Sequence, residues 1–387
     1  MNQAYPERIT QARELAGYSK SELAEFLGVS PAAVAQWESG LKHPTAENVA
    51  SMARCLGVPM PLLMRPKPAE LLRRGPLTFR AWSSAKTRRL NRRAARLAEL
   101  VAESYLWLEE RVTFPSASLP EIAAGLDIEE GAAACRRKWG LGDRPLLKLG
   151  ELLESKGIML GAASFGDQRF DAFSCIMNGR PFVFLGAEKE DRARSRFDAA
   201  HELGHLVLHQ HFAESDLRER EVLERVEGEA NSFGSAFLMP ADTFSKDILD
   251  TGLDGFLKLK AKWGVSVQAM VVRSHSLGIV SENQYRELFR QMSMKGWRRT
   301  KGEPFDDLVP AVQSSVGRRG LELLESNGVM HAWEIPAVLP MPERVLCDVF
   351  QVNPGDLVAI ELGKVIALKD HLESSAGGPP GSGAAGD

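Results

Sequence analysis

The amino-acid sequence predicts a mainly α chain with one small β-sheet, an α+β fold that opens on an all-helical unit. Three observations lead there. Residues 8 to 63 break into four or five short segments whose starts carry helix-capping residues. Three strand-like runs cluster in residues 158–185, and the chain beyond them is largely helical again as far as Met292.

The helix starts near the N-terminus are well marked. Ser19-Lys20-Ser21-Glu22 has the form of a capping box, Ser30-Pro31 sets a capping hydroxyl before a proline at the first helical position, and Thr45 precedes Val49, Met52, Ala53 and Leu56 at helical spacing. Gly28 is the turn residue between the two central helices. Leu23, Ala24, Phe26, Leu27, Val29, Val34 and Trp37 are expected to form the small core of a helix-turn-helix. Pro59, Pro61, Pro66 and Pro68 close this unit, taken as residues 1–66.

A helical linker region, 67–145, follows. Its long helix, from about Ser83 to Val112, carries Leu90, Ala94, Leu97, Val101, Tyr105 and Leu108 at spacings of three and four. Such a stripe calls for a partner along one seam, either a second copy in a homodimer or the rest of the same chain. Arg88, Arg89, Arg92, Arg93 and Arg96 on the same helix read either as phosphate contacts or as its solvated face. A shorter helix is expected over Leu119–Lys138. A unit of residues 146–300 then begins with a helix over Leu147–Ser155, strands over Ile158–Phe165, Ala172–Met177 and Pro181–Leu185, and a helix over Ser195–Gln210. Residues 301–373 read as a small satellite unit with a strand pair, Leu357–Glu361 and Val365–Leu368, and the Gly-, Pro- and Ser-rich residues 374–387 as a disordered tail.

Composition bounds the partners. The chain has 387 residues, 44% hydrophobic and 26% charged, ordinary values for a soluble protein of two or three domains. It shows no apolar run of membrane-spanning length and no secretory leader, and its four cysteines form no CxxC; a cytoplasmic protein with reduced thiols and no membrane partner is expected. Residues 1–100 hold 16 Lys and Arg against 8 Asp and Glu, a balance of +8, while the remainder holds 32 against 43, or −11. The basic end suits double-stranded DNA, and the acidic remainder is repelled by it.

The chemistry is concentrated in His201-Glu202-Leu203-Gly204-His205, within the helix expected over Ser195–Gln210. Histidines at i and i+4 share one helix face, so both rings can reach a single Zn²⁺ at roughly 2.0–2.1 Å while Glu202 stands beside them as a general base. Glu227 is the preferred third ligand, with Asn231 one turn on placed to hydrogen-bond a ligand; Glu229, about 200° around that helix, is the alternative. Mn²⁺ or Fe²⁺ suit the same donors. His209, His211 and His275 are expected in supporting, packing or surface positions.

The HELGH segment, together with Glu227 to Pro240 and its Ala230-Asn231 and Phe237-Leu238-Met239-Pro240, resembles the ImmA/IrrE family of bacterial metallopeptidases. The resemblance runs from about Leu147 to Trp297 and takes in Gly157-Ile158, Asp171-Ala172-Phe173-Ser174, Arg273 to Gly278 and Gly296-Trp297, more loosely. It implies a zincin-like domain in which the glutamate four residues before an asparagine is the third ligand, which falls on Glu227. It also implies a particular repressor or antitoxin as protein substrate. Leu23-Ala24, Gly28-Val29-Ser30, Val34, Trp37-Glu38-Ser39-Gly40 and Pro44 resemble the Cro/cI-type, or XRE, DNA-binding domain. On that resemblance Ser30, Pro31, Ala32, Ala33 and Gln36 face the major groove, Lys20 stands where the family often has glutamine, and Lys42 contacts phosphate. The face is poor in donors, which weakens the expectation of tight sequence reading. The expected protein is a DNA-binding transcriptional regulator with zinc-dependent endopeptidase activity, the alternative being a regulator whose metallopeptidase domain senses a metal, ligand or partner without cleaving.

Overall fold

The computed structural model describes residues 3–68, 85–122, 125–163, 172–186, 191–210, 212, 219–297 and 302–358. Five short helices come first: α1 (Pro6–Ala16), α2 (Lys20–Leu27), α3 (Pro31–Glu38), α4 (Ala46–Leu56) and α5 (Met60–Leu63). Side-chain caps fix three of the starts. Ser19 and Glu22 cap each other's backbone N–H groups, and the Ser30 and Thr45 hydroxyls accept from the N–H groups of Ala33 and Asn48. Leu23, Ala24, Val34 and Trp37 are buried with Ile9 and Met52, but Phe26 is 60% exposed. It lies about 100° from the centre of the stripe that Leu23, Ala24 and Leu27 turn inward.

The long helix α6 (Ala85–Glu109) packs on α1 and continues past it to the sheet and the C-terminal helices. Ala94, Val101, Tyr105 and Leu108 of its stripe are buried, and Leu90 and Leu97 are half-buried, all within the same chain. Among the described residues the seam is therefore filled intramolecularly. Its contact with α1 is polar at the centre. Arg8, with no exposed surface, donates to both carboxylate oxygens of Glu103 at 2.8 and 2.7 Å, and Gln11 donates to Glu99 at 2.9 Å. Of the five clustered arginines, read either as phosphate contacts or as a solvated face, three reach the same interface: Arg96 donates to Glu14 at 2.7 Å, Arg93 to the Leu15 carbonyl at 2.9 Å, and Arg89 lies 3.5 Å from Glu22.

The helix expected over Leu119–Lys138 is shorter, α7 (Ile128–Lys138); residues 119–122 are irregular, and Asp127 starts the helix by accepting from the N–H groups of Glu129 and Glu130. After α8 (Leu149–Ser155) come β1 (Met159–Ala163), β2 (Ala172–Met177) and β3 (Arg180–Gly186) in the order β1-β3-β2, with β1 parallel and β2 antiparallel to β3. Alternation along β3 gives the sheet two buried faces. Phe182 and Phe184 join the core around α6, whereas Val183 and Leu185 join a second core built on α7, α8, α9 (Arg192–Leu208), α10 (Arg220–Leu238), α11 (Ala241–Asp247), α12 (Leu253–Trp263), α13 (Val267–Ser276) and α14 (Glu282–Met294).

Residues 303–358 are no satellite. Their helices α15 (Val316–Ser326), α16 (Ile335–Val338) and α17 (Glu343–Phe350) complete the first core, with α15 and α17 against α6 and α17 also against β1. Leu357, expected in a strand, ends a 3-10 turn (Pro354–Leu357) that Asn353 and Asp356 cap reciprocally. The remainder of that strand pair, from residue 359, and the tail from 374 lie outside the described residues. Among the described residues no helix is long and apolar enough to cross a membrane.

Removing one partner of a buried ion pair leaves the other charge without compensation. Glu103→Ala is expected to cost about 3 kcal/mol of stability, read from urea unfolding, and the double change Arg8→Met with Glu103→Leu to recover most of it. A loss below about 1 kcal/mol would mean that water replaces the carboxylate at Arg8.

Candidate metal centre

Helix α9 begins on two acidic caps. Asp191 accepts from the Arg194 N–H at 2.8 Å, and Asp306 from the N–H groups of Arg192 and Ala193 at 2.5 and 3.1 Å. Helix α10 lies antiparallel to α9 at a separation that only small residues permit. A Cβ on Gly204 would sit 3.2 Å from Ala230 Cα, and one on Gly234 would sit 3.0 Å from the backbone nitrogen of His201. Its last turn is held by two buried arginines: Arg136 donates to the Phe237 carbonyl at 2.5 Å and Arg273 to the Met239 carbonyl at 3.0 Å.

This close packing brings the predicted donors together. His201 Nε2 and His205 Nε2 are 3.0 Å apart, and the Glu227 carboxylate lies 3.5 Å from the first and 3.6 Å from the second. Two ligands of a tetrahedral ion, each at roughly 2.0–2.1 Å, stand about 3.3 Å apart, so the three donor separations fit one divalent metal of this class. Glu202 also comes within 4.8 Å of both histidines, but its Oε2 accepts from the Ser174 hydroxyl at 2.7 Å. Burial, aided by the Glu227 and Asp198 carboxylates, pushes the Glu202 carboxyl up to about 7 against the opposing pull of His205 and Ser174. Asn231 Oδ1 is 3.0 Å from His201 Nδ1. The alternative carboxylate, Glu229, faces away from the pair and meets His209 Nε2 at 2.9 Å.

His201, Glu202, Glu227 and Asn231 open onto a cleft of about 910 Å³, walled by residues of α7, α9, α10 and α13. His275 lies outside it, 3.0 Å from Glu282 and against the Tyr285 ring; His211 is outside the described residues. Sequence reasoning gave no role to Ser174. Its signal is polarity in a strand whose neighbours on the same face, Ala172 and Ile176, are apolar.

The DNA-reading candidates share the outer surface of α2 and α3 and the turn beyond. Ala32 and Lys42 are exposed, and Ala33 and Gln36 half-buried. Ser30, exposed, commits its hydroxyl oxygen to the Ala33 N–H at 3.2 Å. Lys20, half-exposed, stands 3.3 Å from Glu38, which also accepts from Arg13 at 2.5 Å.

A short all-helical unit of helix-turn-helix form, followed by two histidines and a carboxylate gathered beside a three-stranded sheet, is the arrangement of a helix-turn-helix joined to a metallopeptidase-like domain. Comparison with known families agrees: residues 9–63 match the helix-turn-helix family model, and residues 153–275 match that of the IrrE N-terminal-like domain. The chain is therefore an N-terminal XRE-type helix-turn-helix fused to an ImmA/IrrE-type domain. Comparison with curated proteins gives no match.

Because backbone meets backbone at Gly234, Gly234→Ala is expected to spread α9 from α10, cost about 1–3 kcal/mol and weaken Zn²⁺ binding about tenfold. Chelator competition on the full chain checks this; unchanged affinity would show that the helices do not need this separation.

Proposed function

We propose that this chain is a cytoplasmic transcriptional regulator whose metallopeptidase domain is a zinc-dependent endopeptidase, cutting a specific repressor or antitoxin-like protein. The observation that carries the enzymatic half is Glu202. Two histidines and Glu227 suffice as metal donors, so a scaffold or metal sensor has no need of a second carboxylate, buried and held in place by Ser174 at the wall of the cleft.

His201, His205 and Glu227 are the proposed ligands, and Zn²⁺, Mn²⁺ or Fe²⁺ suits them. Such an ion supplies Lewis acidity, lowering the pKa of a water and polarising a peptide carbonyl. Glu202 accepts the proton of the attacking water and delivers it to the leaving amine. The Ser174 hydroxyl orients the Glu202 carboxylate through Oε2, leaving the other oxygen for that transfer. Asn231 holds the His201 ring through Nδ1, and the cleft aligns an extended peptide while limiting water around the reacting carbonyl. The helix-turn-helix supports a substrate that itself resides on DNA, since it would hold the peptidase beside it.

Glu202→Gln in the full chain is expected to keep one bound metal and the fold but to cleave the partner it traps at least about 10²-fold more slowly. Cleavage at the wild-type rate removes Glu202 from the mechanism. A wild type that binds metal and partner yet leaves the partner intact moves the reading to a non-cleaving sensor.

The full chain is also expected to bind duplex DNA with a steep salt dependence. Gln36→Ala should cost about 1–3 kcal/mol of preference at one base position, whereas Lys42→Ala should weaken all sequences alike and reduce the salt slope by about 1. Equal binding by wild type and both variants would point to a helix-turn-helix that docks protein.

A further inference from the structure

Two side chains that this mechanism does not use form a hydrogen-bonded chain behind one of its histidines. His209, just past the end of α9 and 3% exposed, lies between His205 and Glu229. Its Nδ1 is 3.0 Å from His205 Nδ1 and its Nε2 is 2.9 Å from Glu229 Oε2, while Arg225 stands 3.5 Å from the other oxygen of Glu229. We infer that Glu229 and His209 are positioning residues that fix the tautomer of His205, so that its Nε2 presents a lone pair to the metal. This rests on the reading of His201, His205 and Glu227 as metal donors.

The argument is one of donors and acceptors. A carboxylate only accepts, so the His209 nitrogen facing Glu229, Nε2, must carry a hydrogen. A neutral imidazole has one N–H, which makes His209 Nδ1 the lone-pair nitrogen and obliges His205 Nδ1, opposite it, to donate. Nε2 of His205 is then left without a hydrogen, and this is the atom 3.0 Å from His201 Nε2 and 3.6 Å from Glu227. Each link determines the next, from a carboxylate at the protein surface to the donor atom. His201 reaches the same state in one step, because the Asn231 amide oxygen at 3.0 Å accepts from its Nδ1–H. The reverse tautomer of His205 would set a hydrogen where the metal needs electrons, and would leave two lone pairs facing each other at Nδ1.

The test measures Zn²⁺ affinity of the full chain by competition with a chromophoric chelator, alongside ¹⁵N spectra of the labelled histidines. The wild type is expected to bind one ion per chain with His205 in its Nδ1–H form. His209→Leu, which offers no acceptor, should bind 10–100-fold more weakly, as should Glu229→Leu. His209→Gln, whose amide oxygen can accept from His205, should come within about threefold of wild type. Circular dichroism checks the fold; should His209→Leu not fold, Glu229→Leu at the surface edge decides. Unchanged affinity in the leucine variants, equal losses for His209→Gln and His209→Leu, or a His205 hydrogen found on Nε2 would overturn the inference and leave the metal reading standing. A wild type that takes up no Zn²⁺ would instead overturn the metal reading, and the inference with it.

Discussion

The backbone-to-backbone approach of α9 and α10 is the constraint from which the site follows. Where side chains separate two helices, the spacing depends on rotamers and tolerates repacking; at Gly204 and Gly234 there is nothing to repack. Donors carried on these two helices therefore inherit their relative positions from the main chain. The fold also secures the helix ends, where carbonyl groups lack partners. Arg136 and Arg273 take the carbonyls of Phe237 and Met239, and Arg196 takes that of Gly264. Burying a guanidinium is costly, and burial alone pulls Arg196 down to about 10, still cationic at neutral pH. The hydrogen bonds to fixed carbonyls offset that cost, so these arginines act as rigid struts at the ends of α10 and α12 rather than as surface charges.

The sheet divides the molecule and also joins it. One face of β3 belongs to the metal centre's core and the other to the core shared by α6 and the C-terminal helices. Tyr105 of α6 extends this link: its hydroxyl lies 3.2 Å from the Leu160 carbonyl in β1 and 2.9 Å from Ser314 Oγ. Buried Glu154 then accepts from the N–H and hydroxyl of Ser315 and from the N–H of Val316, capping α15. Since α6 also clamps α1 through Glu103, the helix-turn-helix is fastened to the same scaffold that positions Ser174 and Glu202.

Much of this was legible in the sequence wherever the information is local. The capped starts of α2, α3 and α4 and the three strands depend on neighbours within a few residues, and the spacings His201–His205 and Glu227–Asn231 depend on one helical turn. What was not legible depends on tertiary placement. The stripe on α6 demanded a partner but could not say whether that partner was a second copy or α1, β1 and the C-terminal helices. The pairing of Glu229 with His209 was hidden for another reason: helical geometry sets Glu229 away from Glu227, and only the crossing of α10 past the end of α9 brings it to a histidine outside that helix. Phe26 was assigned to the core by its hydrophobicity, although in an eight-residue helix the small core is already filled by Leu23, Ala24 and Leu27.

The charge balance shows the same limit in its clearest form. A count of +8 over the first hundred residues, 16 cations less 8 acids, implies a broad cationic surface, yet it does not say which of the cations are held in internal pairs. Arg8 is neutralised by Glu103, Arg13 by Glu38, Arg96 by Glu14 and Glu99, and Lys67 by Glu99. Two of the acids concerned, Glu99 and Glu103, come from α6, so the helix that brings the arginine cluster also supplies carboxylates to α1. Only charges free to meet phosphate release counterions from DNA. Exposed Lys42, Arg54, Arg88 and Arg92 are the natural members of that set, with Arg92 4.0 Å from Glu14 at its margin. The charge that the helix-turn-helix can offer to a phosphate backbone is thus set by what α6 leaves unpaired at the surface, and the docking of α1 on α6 determines which cations remain in that set.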